Sequence, residues 1–196
     1  MPAHAITPVL VHADESCLGN DRSKPSPGGN AALVEAPAGD SVARWDLFES
    51  SPQTTNNRMA LAGAIATLEW IRRQWQHASV RYVSDSEYLI KGMNEWMPAW
   101  KARGWKKKNG PIENIELWKK LDQAASAHEI EWQWVRGHND HPKNEYANDL
   151  AIRSAERQER SNGLIPSGFD LWLLQQQATR GKYHRYDPDG EVHERV

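Results

Sequence analysis

Hydrophobic and polar positions along the first 160 residues follow two different periods. Short apolar runs with strand composition lie between Gly- and Pro-rich turns and predict five strands, at 8–14, 30–35, 43–49, 79–85 and 129–135. Longer segments carry apolar residues at helical spacing, at about 55–76, 86–96, 113–126 and 141–159. Three strands therefore come first, and helices alternate with the last two. This order predicts an α/β fold whose mixed sheet begins antiparallel and continues through helical crossovers.

The pattern changes near residue 160. The sequence SNGLIPSG interrupts the periodicity, and FDLWLLQQQ, at 169–177, predicts one short amphipathic helix. The remaining residues are polar, which predicts a partly disordered end of the chain. We therefore divide the chain into a main domain at 1–158 and a C-terminal extension at 159–196.

Composition narrows the class of protein. The chain has 196 residues, a net charge of −2 and a pI near 6.4, so any surface that binds nucleic acid must be local. Cys17 is the single cysteine, which excludes an internal disulfide and a cysteine zinc cluster. No apolar run approaches the roughly 20 residues that span a bilayer, and the N-terminus lacks a signal-peptide pattern. We expect a cytoplasmic protein that is not bound to a membrane.

Two aspartates and one histidine are candidates for chemistry. Asp14 and Asp85 each end an apolar strand, and ligands of open α/β sheets bind beyond such strand ends. Either aspartate alone is better explained as a strand terminator or helix cap, but the pair in this order of elements favours a Mg²⁺ site. His138 lies on a glycine-flanked loop, where it could carry a proton. Taken alone, His138 is somewhat better explained as a surface loop residue.

A basic segment follows the fourth strand. WMPAWKARGWKKKNG, at 96–110, mixes tryptophans with cations and contains no acidic residue. Aromatic faces among lysines and arginines favour nucleic-acid binding. The alternative is a solvated basic loop that its tryptophans anchor to the body, and both can hold together.

These motifs together resemble a bacterial-type ribonuclease H of type I. The resemblance runs from about residue 8 to about residue 157 and is carried by DESCLGN, TTNNRM, SDSEYLIKGMNEW, AWKARGWK, IENIELWKKLD and WVRGHNDHPKNEYAN. It implies a ribonuclease H-like fold with a five-stranded mixed sheet and a basic handle. It also implies a monomer that cuts the RNA strand of an RNA/DNA hybrid with two Mg²⁺ ions, or with Mn²⁺ in their place.

The resemblance assigns roles to particular residues. Asp14 and Asp85 would be catalytic metal ligands, and His138 would assist proton movement or product release. Other positions would contact the hybrid in its minor groove or through the handle: Cys17, Asn20, Asn56, Asn57, Trp96, Trp100, Arg103, Trp105, Lys106, Lys107 and Lys108.

Two family carboxylates are missing. Ala60 stands where the family has its catalytic Glu, and Asn148 where it has its fourth metal-binding Asp. Asp149 is a candidate substitute, although one residue is about 100° around a helix and a shifted helix would be needed. With two carboxylates we expect strongly impaired catalysis. The alternatives are a non-catalytic module that binds hybrid or duplex, and a protein-interaction scaffold that acts through the extension.

Overall fold

A mixed sheet forms the centre of the computed structural model, which describes residues 6–19, 25–137 and 140–193. Its strands are β1 (Thr7–Cys17), β2 (Ser26–Ala38), β3 (Ser41–Thr54), β4 (Ala78–Ser84), β5 (Glu129–Trp134) and β6 (Ile165–Pro166), in the spatial order β5-β4-β1-β2-β3-β6. β1 pairs antiparallel with β2 and parallel with β4, and β4 pairs parallel with β5. The predicted mixed sheet with an antiparallel start is confirmed. The sixth strand was not predicted, and it comes from the C-terminal extension.

Seven α-helices accompany the sheet in the described residues: α1 (Asn56–Trp75), α2 (Glu87–Lys91), α3 (Met97–Ala102), α4 (Ile115–Ala125), α5 (Pro142–Arg157), α6 (Phe169–Arg180) and α7 (Gly190–His193). A π-helical turn (Gly92–Trp96) joins α2 to α3, so the helix predicted to end near 96 continues to Ala102. Across the described ranges, no helix has the length and hydrophobicity that crossing a membrane would need.

Helix α1 shows how the sequence places an element against the sheet. The Thr55 hydroxyl caps it by accepting a hydrogen bond from the Arg58 amide at 3.4 Å. Its buried residues Leu61, Leu68 and Ile71 recur at helical spacing and pack, together with α4, on one face of the sheet. Helix α5 covers the other face of β1 and β2. The strand ends that carry the candidate aspartates therefore lie between two helical layers.

The C-terminal extension contains more regular structure than the single predicted helix, because β6, α6 and α7 all lie within it. Phe169 is fully buried and packs edge-to-face on Tyr146 of α5, with ring centroids 5.4 Å apart. Arg44 of β3 donates hydrogen bonds to Glu35 and to Asp189 near the end of the chain. Apolar and ionic contacts together hold the extension on the α5 face of the sheet.

Candidate active site

Three carboxylates meet beside β1 at the point where its neighbour β4 ends. Asp14 and Glu15 are consecutive residues of β1, and Asp85 directly follows β4. One carboxylate oxygen from each residue lies within 4.8 Å of the other two. Because β1 and β4 are parallel neighbours, their carboxyl ends reach the same edge of the sheet. The structure therefore brings Asp14 and Asp85 together, and it adds Glu15, which sequence reasoning did not count.

Glu15 reaches the cluster from the side of the sheet that faces α1. Ala13, two residues before it on β1, packs in the core with Ala60 and Leu61 of that helix. Side chains two residues apart on a strand share a face, so Glu15 lies on the face that α1 covers. Glu15 and Ala60 also line the same small cavity at the strand end. An acidic residue of β1 therefore lies at the same cavity as Ala60.

Burial and mutual repulsion raise the pKa values of Asp14 and Glu15. Burial is the larger cause for Asp14, and the charges of Asp85 and Glu15 add to it, so its pKa rises to about 9. Burial and Asp85 together raise the pKa of Glu15 to about 8. Three close carboxylates, of which Asp14 and Glu15 have a raised pKa, form a donor set of hard oxygens that a divalent cation would stabilise. The residues present therefore fit a divalent metal ion such as Mg²⁺.

The loop after β5 begins in contact with the cluster. A Cβ atom added at Gly137 would lie only 2.2 Å from Asp85 Oδ2, so the backbone of this loop touches the carboxylate. The indole of Trp134, which ends β5, donates a hydrogen bond to the Asp85 carbonyl at 3.1 Å. His138 follows Gly137 directly but lies outside the described residues, as does Asn20.

Helix α5 directs Asn148 and its candidate substitute Asp149 to different surroundings. Asn148 is half-buried and lies on the stripe of α5 that includes the buried residues Asn144 and Ala151. Asp149 is one residue further round the helix and exposed, and its carboxylate accepts a hydrogen bond from the Trp172 indole at 2.8 Å. The structure thus places Asp149 against the extension and not in the carboxylate cluster.

A second cluster, of His12, His141 and Glu191, has donor atoms equally close together. The two imidazole rings are stacked with centroids 5.0 Å apart and an interplanar angle of 13°, so one ion could not lie in both ring planes. The Glu191 carboxylate already accepts from Tyr186 at 2.7 Å and lies 3.6 Å from the Lys143 ammonium. Burial would raise the pKa of Glu191, but the His141 hydrogen bond and nearby cations hold it far below its usual range. This cluster is an ionic contact that ties α7 to β1 and α5.

The basic handle is anchored by its aromatic residues. Trp96 packs on Trp100 with ring centroids 6.1 Å apart, and Trp100 packs edge-to-face on the fully buried Trp118 at 5.6 Å. Trp105 is half-buried and packs against the same core. The exposed cations of the handle are Lys101, Arg103, Lys106, Lys107 and Lys108. The tryptophans therefore fix the handle to the body, and the cations remain at the surface.

The predicted groove residues lie beside the carboxylate cluster. Asn56 is exposed and Asn57 half-exposed in the first turn of α1, one turn before Ala60. Arg58, which follows them, donates hydrogen bonds to Asn114 and Glu116 at the start of α4, at 3.0 and 2.9 Å. Cys17 is half-buried at the end of β1. The two asparagine amides thus remain accessible, whereas the Arg58 guanidinium is held by α4.

Comparison with known proteins gives one consistent result. The family model described as RNase H matches residues 7–156. The Ribonuclease H of Stutzerimonas stutzeri (strain A1501) is 42% identical over 153 residues, covering 78% of this chain and 94% of that protein.

Two solved structures share the fold. One is described as "LC9-RNase H1, a type 1 RNase H with the type 2 active-site motif"; it is 44% identical, has a TM-score of 0.85 and covers 93% of this chain and 88% of that one. The other, LC11-RNase H1 in complex with RNA/DNA hybrid, is 16% identical, has a TM-score of 0.55 and covers 76% of this chain and 97% of that one.

Proposed function

The chain belongs to the ribonuclease H family, and from this premise we propose that it hydrolyses the RNA strand of RNA/DNA hybrids with Asp14, Glu15 and Asp85 as its acidic centre. The observation that carries the proposal is the close approach of these three carboxylates at the strand ends, within 4.8 Å of one another. The reaction, hydrolysis of the RNA strand, is inferred from family membership. The three carboxylates are the groups that would hold the divalent ions for this reaction.

Glu15 takes the place of the family Glu that Ala60 lacks. It comes from β1 and not from α1, yet its carboxylate lines the same cavity as Ala60. The description of LC9-RNase H1 as a type 1 enzyme with a different active-site motif supports such a rearrangement in a protein 44% identical to this one. The expectation of strong impairment assumed two carboxylates at the centre. With three, we propose that the chain is catalytically competent.

Each residue of the acidic centre and the loop beside it has a proposed role. Asp14, Glu15 and Asp85 would hold the divalent ions, with the Asn148 amide as the fourth family position on α5. When bound there, such ions polarise the scissile phosphate and stabilise the negative charge that develops on it and on the leaving oxygen. Asp14 is buried and Glu15 and Asp85 are half-buried, which limits their contact with water and strengthens their attraction for cations. His138, on the loop that begins at Gly137 against Asp85, would move a proton or assist product release.

The hybrid would lie across the centre between two contact regions. The amides of Asn56 and Asn57 can donate to and accept from the 2′-hydroxyls of the RNA strand. The handle cations would bind phosphates of the DNA strand, at positions Arg103, Lys106, Lys107 and Lys108. Because the whole chain has a formal charge of −2, its net charge does not attract the hybrid. The attraction on the side of the handle would therefore come mainly from these local cations.

A labelled RNA/DNA hybrid tests this function directly. The chain should cut the RNA strand in Mg²⁺ or Mn²⁺ and leave it intact in EDTA. Glu15→Gln should abolish most of the cutting, whereas Glu145→Gln, which removes a charge near Asp14 but outside the cluster, should leave it within about threefold. A chain that binds the hybrid but does not cut it in either metal is instead the non-catalytic module, and the proposal fails.

A further inference from the structure

The C-terminal extension carries a basic segment that the proposed function leaves unexplained. Residues 180–186, RGKYHRY, contain three Arg or Lys residues, one His and no acidic residue. Arg180, Lys182, His184 and Arg185 are all exposed. A single cation at the end of α6 would satisfy the helix dipole, so the dipole alone does not account for the group.

The segment has a defined backbone. Gly181 ends α6 in the left-handed conformation, at φ 63°, and Tyr183 also has a positive φ of 61°. The Tyr183 carbonyl accepts hydrogen bonds from the Gln177 side chain at 3.1 Å and from the Tyr186 amide at 3.0 Å. The Tyr183 ring stacks on Trp172, with centroids 6.1 Å apart. The cations therefore project from a folded turn whose backbone is held by these contacts.

This turn lies next to the loop that borders the carboxylate cluster. The Lys182 ammonium is 2.7 Å from the Asp140 carboxylate, and Asp140 is three residues after Gly137, which touches Asp85. Three residues of chain span at most about 11 Å. A duplex carries one phosphate per about 3.4 Å of axis on each strand, so this reach corresponds to about three phosphates beyond the centre.

The segment and the handle approach the centre from opposite faces of the sheet. The handle follows Asp85 on the face covered by α1 and α4, and the extension packs on the face covered by α5. Within the described part of the chain, no carboxylate lies within ion-pair distance of Arg180 or Arg185, so both charges are available to a ligand. Lys182, by contrast, already neutralises Asp140.

We propose that the basic turn at 180–185 is a second nucleic-acid contact, which binds phosphates of the hybrid beyond the carboxylate cluster on the side away from the handle. This inference rests on the proposed function, because the hybrid must first occupy the centre. The turn would hold the strand that crosses the centre, and the handle would hold the other strand. Binding would be insensitive to sequence, since the contacts are to phosphates.

The experiment measures hybrid binding in EDTA against salt concentration. Arg180→Gln/Lys182→Gln/Arg185→Gln should lower the magnitude of the slope of log K against log salt by about 2 to 3, because each lost phosphate contact lowers this magnitude by about 0.9. The double variant Arg180→Gln/Arg185→Gln keeps the Lys182–Asp140 pair and should lower this magnitude by about 2. Arg180→Lys/Arg185→Lys keeps the charge and should restore the parental slope.

Two further variants separate the possible failures. The control Arg72→Gln/Arg73→Gln/Arg157→Gln removes the same charge, with two of its sites about 24 Å along α1 from Asn56, and should leave the slope unchanged. Lys106→Gln/Lys107→Gln/Lys108→Gln should lower the slope through the handle. If the handle variant lowers the slope and the turn variant matches the control, the inference is overturned while hybrid binding stands. If the parental chain does not bind hybrid, both the inference and the proposed function fail.

Discussion

Replacing Glu15 by Gln tests the central assignment with the smallest change in shape. Gln has nearly the same volume and can still form the hydrogen bond that Glu15 makes with Ser86. The substitution removes one negative charge from a cluster of three. A merely structural role for Glu15 would tolerate it, whereas a role in holding divalent ions would not.

The spacing of the cluster sets the expected loss. Two unit charges 4.8 Å apart at an effective dielectric constant of 20 interact by about 3.5 kcal/mol. Each carboxylate therefore attracts a doubly charged ion by several kcal/mol, of which about half is offset by desolvation. A remaining 3–4 kcal/mol corresponds to about a 10²- to 10³-fold lower rate at fixed metal concentration. Higher metal concentration should recover part of the loss.

The assay follows cleavage of the labelled hybrid over a Mg²⁺ titration, with the thermal midpoint of each variant as a folding control. Glu15→Gln/Ala60→Glu moves the carboxylate back to the family position and should regain at least tenfold over Glu15→Gln. The reasoning is refuted if Glu15→Gln cuts within threefold of the parental chain at low Mg²⁺. It is also refuted if the loss is matched by Glu145→Gln.

Three other changes have outcomes that the structure determines. Gly137→Ala would place a Cβ atom 2.2 Å from Asp85 Oδ2 and should lower cleavage about tenfold with little change in the thermal midpoint. Gly29→Ala would place one 2.4 Å from the Ala151 carbonyl and 2.6 Å from the Ala155 amide, so α5 must shift; urea unfolding should show a loss of about 1–3 kcal/mol. Glu191→Gln leaves Lys143 and His141 without this partner and should lower unfolding free energy at pH 7 by about 2–4 kcal/mol. Because the folded-state pKa of Glu191 is depressed, its contribution is present above about pH 4.5 and lost at lower pH, so the stabilities of parent and variant should converge on acidification.

The sequence predicted the main elements because their periodicity is local. The stripe of α1 and the strands β1, β4 and β5 are each visible within a window of ten to twenty residues. The contacts of the extension are not, because they join residues far apart in the chain. Arg44 meets Asp189, and the fully buried pair of Lys143 and Glu35, 2.8 Å apart, also lies near Glu191. No spacing rule connects such positions, so a partly disordered end was predicted where the structure has α7, although the helix at α6 was predicted.

Glu15 escaped prediction for a different physical reason. Adjacent residues of a strand point to opposite faces, so Asp14 and Glu15 are not expected to share a site. At Asp14 and Glu15 this rule has less force, because β4 ends at Ser84 beside Ala13 and both faces of the sheet border the same open edge beyond it. A signal was nevertheless present: an acidic residue beside Asp14 and an Ala at the position of the family Glu. Read together, the carboxylate gained on β1 compensates for the one lost on α1, and only the change at Asn148 lowers the number of carboxylates, from the four of the family to three. A count of motif positions overlooks a carboxylate that occupies the same region of space but comes from β1 and not from α1.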